Sequence, residues 1–202
     1  MFSKKIFTFI MSVVLLSICS TTNALGPANF HSDPEVLMNL IKMTLEKDGG
    51  SPITISNGRY YTEDGAKHMV ANFDNNAKNK IDFSLVSDGS VFVITIKEDF
   101  SAKRKFSEES RESMLISVLS SMRIVVAICD IFEFKLRPKE IGGLISRDIV
   151  SPILNEMKAG RTPEPKMTYI NGLYNSKSEL CDLIIAFNYE QGGITYVMLK
   201  SA

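Results

Sequence analysis

The sequence contains no tryptophan, only two histidines, His31 and His68, and only three cysteines. Neither the histidines nor the cysteines are paired at the short spacings of zinc ligands, which argues against a zinc site. The nucleophile patterns Gly-x-Ser-x-Gly and Ser-x-x-Lys are absent, so the sequence assigns no catalytic serine. Glycine pairs such as 142–143 and 192–193 are isolated and do not form a phosphate-binding loop. We therefore expect neither a metal nor another cofactor.

An excess of charge of either sign is also missing, because 23 basic residues balance 23 acidic ones. Such a chain offers no electrostatic attraction for nucleic acid or for an anionic membrane. The basic cluster 103–105 is followed by Glu108 and Glu109 and is more typical of a solvated helix start than of a nucleic-acid site. The stretch that begins at Asp74 is not a calcium loop, since Asn79 stands where an EF-hand needs glycine.

The amino terminus has the layout of a cleavable secretory signal. Lys4 and Lys5 precede an apolar run over 6–18, and small polar residues lead to Ala24. The run of 13 residues is shorter than the roughly 20 that span a bilayer. We expect residues 1–24 to be removed and the protein to be periplasmic or secreted. An uncleaved anchor and lipidation at Cys19 are the alternatives.

A second apolar stretch, 115–134, is long enough to be considered as a membrane span. It contains Arg123 and Asp130, and each of these charges costs about 2.5–3.5 kcal/mol near the bilayer centre. We therefore expect a core helix here and no integral membrane span after the leader is removed.

Two cysteines, Cys129 and Cys181, remain once the leader is removed. In an oxidising compartment such a pair usually forms a disulfide, worth about 4 kcal/mol for a loop of this length. We predict a disulfide between them. Two separate buried thiols are the alternative, since free cysteine is among the most buried residue types.

Helical periodicity and capping residues predict three helices. The first spans 32–48, with Ser32 as its N-cap and Gly49-Gly50 after its end. The second begins at Ser107 and runs to Cys129. The third spans 138–158 and is expected to kink at Pro152.

Alternation and turn residues predict four hairpins. Two of them turn at the dipeptides Asn57-Gly58 and Asn171-Gly172, since Asn-Gly is the strongest short hairpin signal. Two more apolar hairpins are expected over 81–97 and 181–200, and a polar linker over 63–80. The fold class is therefore α+β, with antiparallel sheets of paired hairpins and helices packed on one face.

The two halves of the chain resemble each other in pattern. Each has a helix, an Asn-Gly hairpin and a more apolar hairpin, which suggests two duplicated units around the helix that begins at Ser107. The units would span 25–105 and 137–202, joined by 106–136; a single domain over 25–202 is the alternative. Helix-plus-hairpin segments are common, so the duplication is a hypothesis.

Four tyrosines form a candidate recognition surface. Tyr60, Tyr61, Tyr169 and Tyr174 occupy related places in the two Asn-Gly hairpins. Tyrosine is enriched at protein interfaces, although cross-strand packing is the more ordinary role of tyrosines on hairpins.

The leading hypothesis is an exported, non-enzymatic binding or accessory protein of the envelope or secreted space, whose partner is another protein. Its mechanism would be surface recognition, such as strand addition at a sheet edge. A hydrolase using His68 with Asp64 and Asp82 is the first alternative. A carrier with an apolar ligand against residues 114–129 is the second. Oligomeric state does not follow from the sequence.

Overall fold

The computed structural model describes residues 28–100, 108–134, 138–175, 177–189 and 192–201. The predicted leader 1–24 and the basic cluster 103–105 lie outside these ranges. Within them, no helix is both long and apolar enough to cross a membrane.

Seven antiparallel strands form one sheet, in the order β1-β2-β3-β4-β7-β6-β5. The first half of the chain contributes four strands and the second half three. The two halves meet where β4 pairs with β7. The strands are β1 Arg59–Glu63, β2 Ala66–Phe73, β3 Asn76–Leu85, β4 Val91–Asp99, β5 Lys166–Tyr174, β6 Leu180–Asn188 and β7 Gly193–Lys200.

The helices pack on one face of this sheet, which confirms the predicted α+β class. They are α1 Pro34–Lys47, α2 Glu108–Ile131, α3 Pro138–Ile145 and α4 Ser151–Lys158, with a π-helical turn Ser146–Val150 between the last two. One apolar core lies between helices and sheet and includes residues from both halves of the chain. Its largest fully buried side chains include Tyr196, Phe83 and Phe187.

Both Asn-Gly hairpin predictions are wrong, because these dipeptides lie within the two edges of the sheet. Asn171 and Gly172 interrupt β5, where the pairing with β6 shifts register and Gly172 has a φ of 68°. Gly58 precedes β1, and a β-carbon there would lie 2.9 Å from the sulfur of Met69, so that side chain would have to move. Between the Ile55–Phe73 bridge and the Arg59–Val70 pair, residues 56–58 face only 71–72. Both dipeptides therefore distort an edge of the sheet and do not reverse the chain.

The predicted polar linker 63–80 instead holds β2 and the start of β3. Its reversals lie at Asp64-Gly65 and at Asp74-Asn75, whose four residues all have positive φ, as a two-residue hairpin turn requires. The linker prediction therefore missed a strand. The apolar hairpins do take central places in the sheet, as β3–β4 and β6–β7. With four strands against three, duplication of one unit is not established.

The helix ends follow ordinary capping rules with one correction. Asp33, not Ser32, caps α1: its carboxylate accepts hydrogen bonds from the backbone N–H groups of Glu35 and Val36. Ser32 accepts instead from the backbone N–H of Asn29. The third helix does change at Pro152, where the preceding π-helical turn accommodates the missing proline N–H.

The central helix α2 ends in a left-handed residue that is not glycine. Glu133 has a φ of 51°. The backbone N–H of Phe134 donates to the carbonyl of Cys129, and that of Glu133 donates to Asp130, which is the Schellman pattern. The following residue, Phe134, is buried and fixes the chain direction after the helix.

The expected disulfide is not formed, and this prediction needs correction. Cys129 on α2 and Cys181 on β6 are both free cysteines, and both are fully buried. Burial raises the pKa of the Cys129 thiol well above its usual value and that of Cys181 to about 12. Each therefore packs as a small apolar side chain in the core.

An ion pair ties the end of α1 to the central helix. Arg123 donates from Nε and Nη2 to the two carboxylate oxygens of Asp48, at 2.9 and 2.6 Å, and from Nη1 to the carbonyl of Ser51. The side chains of Arg123 and Asp48 are only 13% and 11% exposed. Gly50 leaves the space for this guanidinium, since a β-carbon would lie 2.5 Å from it.

Replacing this arginine tests how much the pair stabilises the fold. We expect Arg123→Met to lower the free energy of unfolding by about 2–4 kcal/mol, because it leaves a largely buried carboxylate and a carbonyl without their donor. Urea denaturation measures the change. The control is Arg161→Met, which breaks an equally bidentate but exposed pair with Glu156 and should change stability little. Equal losses in both variants would contradict the assignment.

Glycine at the end of α2 should stabilise the protein. Glu133→Gly removes the cost of a left-handed β-carbon, and we expect the free energy of unfolding to rise by roughly 1 kcal/mol. The matched control is Glu133→Ala, which removes the same charge near Asp130 and retains the β-carbon. Thermal and urea unfolding of the two variants separate the backbone effect from the charge effect. A gain of the same size with alanine would show that the backbone is not the cause.

Candidate functional site

The two faces of the sheet differ sharply in burial. Side chains that point toward the helices, such as Ile94, Leu183 and Met198, have no exposed surface. Side chains that alternate with them, such as Val93, Ile184 and Val197, are half-buried. We call the face that carries the second set the open face.

Strand pairing aligns the side chains of the open face into three rows that cross the sheet. The first row is Tyr61, His68, Ser84, Val93, Leu199 and Asp182. The second is Arg59, Val70, Asp82, Thr95, Val197, Ile184 and Tyr169. The third is Asn72, Lys80, Lys97, Thr195, Ala186 and Met167.

One half of the open face is apolar and well exposed. Met167 and Tyr169 on β5 are each 58% exposed, and five of the exposed large apolar residues lie in this region. The one acid there, Asp182, already accepts hydrogen bonds from the backbone N–H of Gly172 and the hydroxyl of Ser201. We call this region the apolar patch: Met167, Tyr169, Tyr174, Leu180, Ile184, Val197 and Leu199.

The other half of the open face carries a hydrogen-bonded polar cluster. Asp82 accepts from the Tyr61 hydroxyl at 2.5 Å through Oδ2 and contacts His68 Nδ1 at 2.9 Å through Oδ1. Ser84 Oγ lies 3.3 Å from the same imidazole nitrogen. The Tyr61 and His68 rings stack with centroids 4.8 Å apart. We call these four residues the Tyr61 cluster.

The hydrogen bonds of the Tyr61 cluster fix the orientation of its side chains on the surface and do not activate a nucleophile. A Ser-His-Asp relay places the carboxylate on one imidazole nitrogen and the nucleophile on the other. Here Asp82 and Ser84 both contact Nδ1 of His68, so the serine is not placed for activation. Asp64, the third residue of the hydrolase hypothesis, lies away in the β1–β2 turn. Asp82 instead holds Tyr61 and His68 in one orientation.

Burial and the neighbouring acid change the titration of Tyr61. Burial is the largest cause that raises the pKa of its phenol above the usual 10.0, and the hydrogen bond to Asp82 and the charge of Asp82 add to it. Folded Tyr61 therefore keeps its proton at a pH where the unfolded residue has lost it. Its contribution to stability is complete below pH 10 and is lost as the pH rises through the folded value.

The four predicted tyrosines are divided between the two faces. Tyr61, Tyr169 and Tyr174 lie on the open face, whereas Tyr60 pairs with Met69 and points to the helix side. There, burial and the charges of Glu35 and Asp33 at the start of α1 raise the Tyr60 pKa. The candidate surface therefore keeps three of its four tyrosines.

Other candidate residues lie elsewhere. His31 is near Lys200 and Glu179 at one end of the sheet, with its Nε2 3.0 Å from Lys200 Nζ. Val118, Met122 and Val125, from the stripe proposed to line a ligand cavity, belong to the apolar core. No group of three or more metal-ligating side chains occurs in the described ranges.

Sequence reasoning missed most of the open face. Asp82 was assigned to a strand and His68 to a linker, so the hydrolase hypothesis grouped the two residues without predicting the geometry of their contact. The signal was weak, because Met69, Val70 and Ala71 form an apolar run in place of the strict alternation seen around Asp82. The chain was also compared with known proteins: no family model, no curated protein and no solved structure matches it.

The link between Asp82 and Tyr61 can be measured by titration. We expect Asp82→Asn to lower the pKa of Tyr61 toward its usual value, because the carboxylate that favours the protonated phenol is gone. Ultraviolet absorbance from pH 8 to 13 follows the titration, and Tyr61→Phe identifies its component. The control Asp182→Asn, on the same face but hydrogen-bonded to Gly172 and Ser201, should leave that component unchanged. An unchanged Tyr61 titration in Asp82→Asn would contradict the assignment.

Proposed function

We propose that this chain is an exported, non-enzymatic binding protein that recognises another protein through the open face. One observation carries the proposal: an apolar patch with large exposed side chains lies on a sheet face that no helix of the described residues covers. Contiguous exposed apolar surface is rare on monomeric proteins and marks interaction sites.

The composition of the face favours a protein partner. Its exposed residues include Tyr61, Tyr169 and Met167, of the types enriched in interfaces, with charged residues mostly toward the margins. The Tyr61 cluster adds a tyrosine that hydrogen bonding and stacking hold in place, so little side-chain entropy is lost on binding. Rigid aromatic side chains of this kind are frequent hot spots.

Recognition by the face is better supported than strand addition at an edge. β1 and β5 are the edge strands, and an Asn-Gly distortion interrupts β5 and precedes β1. Distortions of this kind protect an edge from pairing with another strand. The face has no such protection.

Export is the part of the proposal that rests on the leader alone. A charged start, a short apolar run and Ala24 before the expected cleavage point support it. The partner would then be a protein of the periplasm, the envelope or the secreted space. The two alternatives have less support. No nucleophile of the described residues contacts the second imidazole nitrogen of His68, and Val118, Met122 and Val125 of the stripe pack into the core.

Charged substitutions in the apolar patch test the proposal. We expect the double variant Tyr169→Glu, Leu199→Glu to retain at least tenfold less envelope protein than the natural chain. The reason is that each side chain buried on binding contributes about 1 kcal/mol or more to the binding free energy. Quantitative mass spectrometry after affinity capture from an envelope extract measures retention.

The matched control is Val36→Glu, Met43→Glu, which changes two apolar residues of α1 that are 47% and 43% exposed. It adds the same charge on the opposite side of the molecule and should retain the same proteins as the natural chain. Equal retention by both double variants, or a natural chain that retains no protein and is also monomeric, would contradict recognition through the open face.

A further inference from the structure

The size of the open face fits another sheet better than a single helix. The face is roughly 29 Å wide, because six gaps of about 4.8 Å separate its seven strands. It is roughly 26 Å long, because its strands have about eight residues at roughly 3.3 Å each. A sheet laid on it would cover on the order of 750 Å² per partner, which is the size of a standard stable interface. A helix about 10 Å wide would cover less than half of that.

The central rows of the face suit close approach of a second sheet. Val93, Thr95, Thr195 and Val197 on β4 and β7 are all short side chains. Two packed sheets lie about 10 Å apart with their side chains interdigitated, and short central residues permit that distance. The larger Tyr61 and Tyr169 lie at the two sides, where they would surround the contact.

The charges of the face are arranged in a way that a copy of the same face would complement. Lys80 and Lys97 lie directly opposite each other in register. The one acid at this end of the face, Asp99, pairs with Lys78, and among the described residues neither Lys80 nor Lys97 has an ion pair. Like charges placed opposite each other on a sheet are destabilising. The acidic residues Glu63 and Asp182 lie toward the other end of the strands.

A twofold axis perpendicular to the strands satisfies both patterns at once. It places the apolar patch on the apolar patch of the second copy. It also sets the lysine end of one face over the acidic end of the other. An axis parallel to the strands would instead place the apolar patch on the Tyr61 cluster and align like ends.

We propose that the partner covering the open face is a second copy of this chain, packed sheet to sheet with strands antiparallel across the interface. This inference rests on the proposed function, because it names the partner of the same face. The contact is isologous, so every contact between residues that lie off the axis occurs twice.

Sedimentation velocity of the purified chain tests whether it dimerises. The chain concentration runs from about 0.5 to about 100 μM, roughly two decades that include a micromolar dissociation constant. We expect a concentration-dependent dimer. Val197→Glu places two like charges in the centre of the contact and should raise the dissociation constant at least tenfold. Leu199→Glu, at a more exposed position, should act in the same direction and serves if the first variant does not fold by circular dichroism. Met43→Glu on α1 is the control and should leave the dimer unchanged.

The outcomes separate this inference from the proposed function. The inference is overturned if the natural chain stays monomeric at all concentrations. It is also overturned if Leu199→Glu and Met43→Glu leave the dimer equally intact. If the chain is monomeric and the Tyr169→Glu, Leu199→Glu variant still loses an envelope partner, the proposed function stands and its partner is a different protein. If the chain is monomeric and also retains nothing, both fail.

Discussion

The pairing of β4 with β7 is the constraint on which the rest of the structure depends. These strands come from opposite halves of the chain and are joined in unbroken antiparallel register from Val93↔Leu199 to Asp99↔Gly193. Because side chains alternate along a strand, this register decides which residues face the helices. It buries Ile94 and Met198 completely and leaves Lys97 in solvent. A slip of one residue in either strand would reverse the faces and bury that charge.

Once both halves share one sheet, the helices determine the role of each face. α1 and α2 are held together through Asp48 and Arg123, and both lie on the same side with α3 and α4. The face left without helices keeps apolar residues that are only half-buried, together with a polar cluster whose members satisfy one another. A face that were only solvent-exposed would be expected to alternate to polar residues throughout. This mixture of apolar and polar residues is the reason why we propose that the face binds a partner.

The sequence predicted the helices well and the strand order less well, for physical reasons. Helix periodicity and capping depend on neighbours within four residues, so 34–47 and 108–131 were close to expectation, although Asp33 and not Ser32 supplies the cap.

Asn-Gly was misinterpreted because the same dipeptide fits a hairpin turn, an edge distortion or a close backbone approach, and contacts such as that of Gly58 with Met69 are not local. The Asp64-Gly65 turn was missed for the same reason. Compartment-based reasoning about Cys129 and Cys181 failed because the packing of two side chains in the core is a property of the whole fold. The surface tyrosines were identified from residue type, but their assignment to one face needed the register.

The β4–β7 register can be tested with an engineered cross-link. Thr95 and Val197 lie directly opposite each other on the open face, at a spacing that a disulfide can bridge. We expect Thr95→Cys with Val197→Cys to form an intramolecular disulfide under mild oxidation, identified by mass spectrometry of the linked peptides. We expect Thr95→Cys with Tyr196→Cys to form none, because Tyr196 points to the helices. Cross-linking of the second pair in place of the first would contradict the sheet and both of its faces.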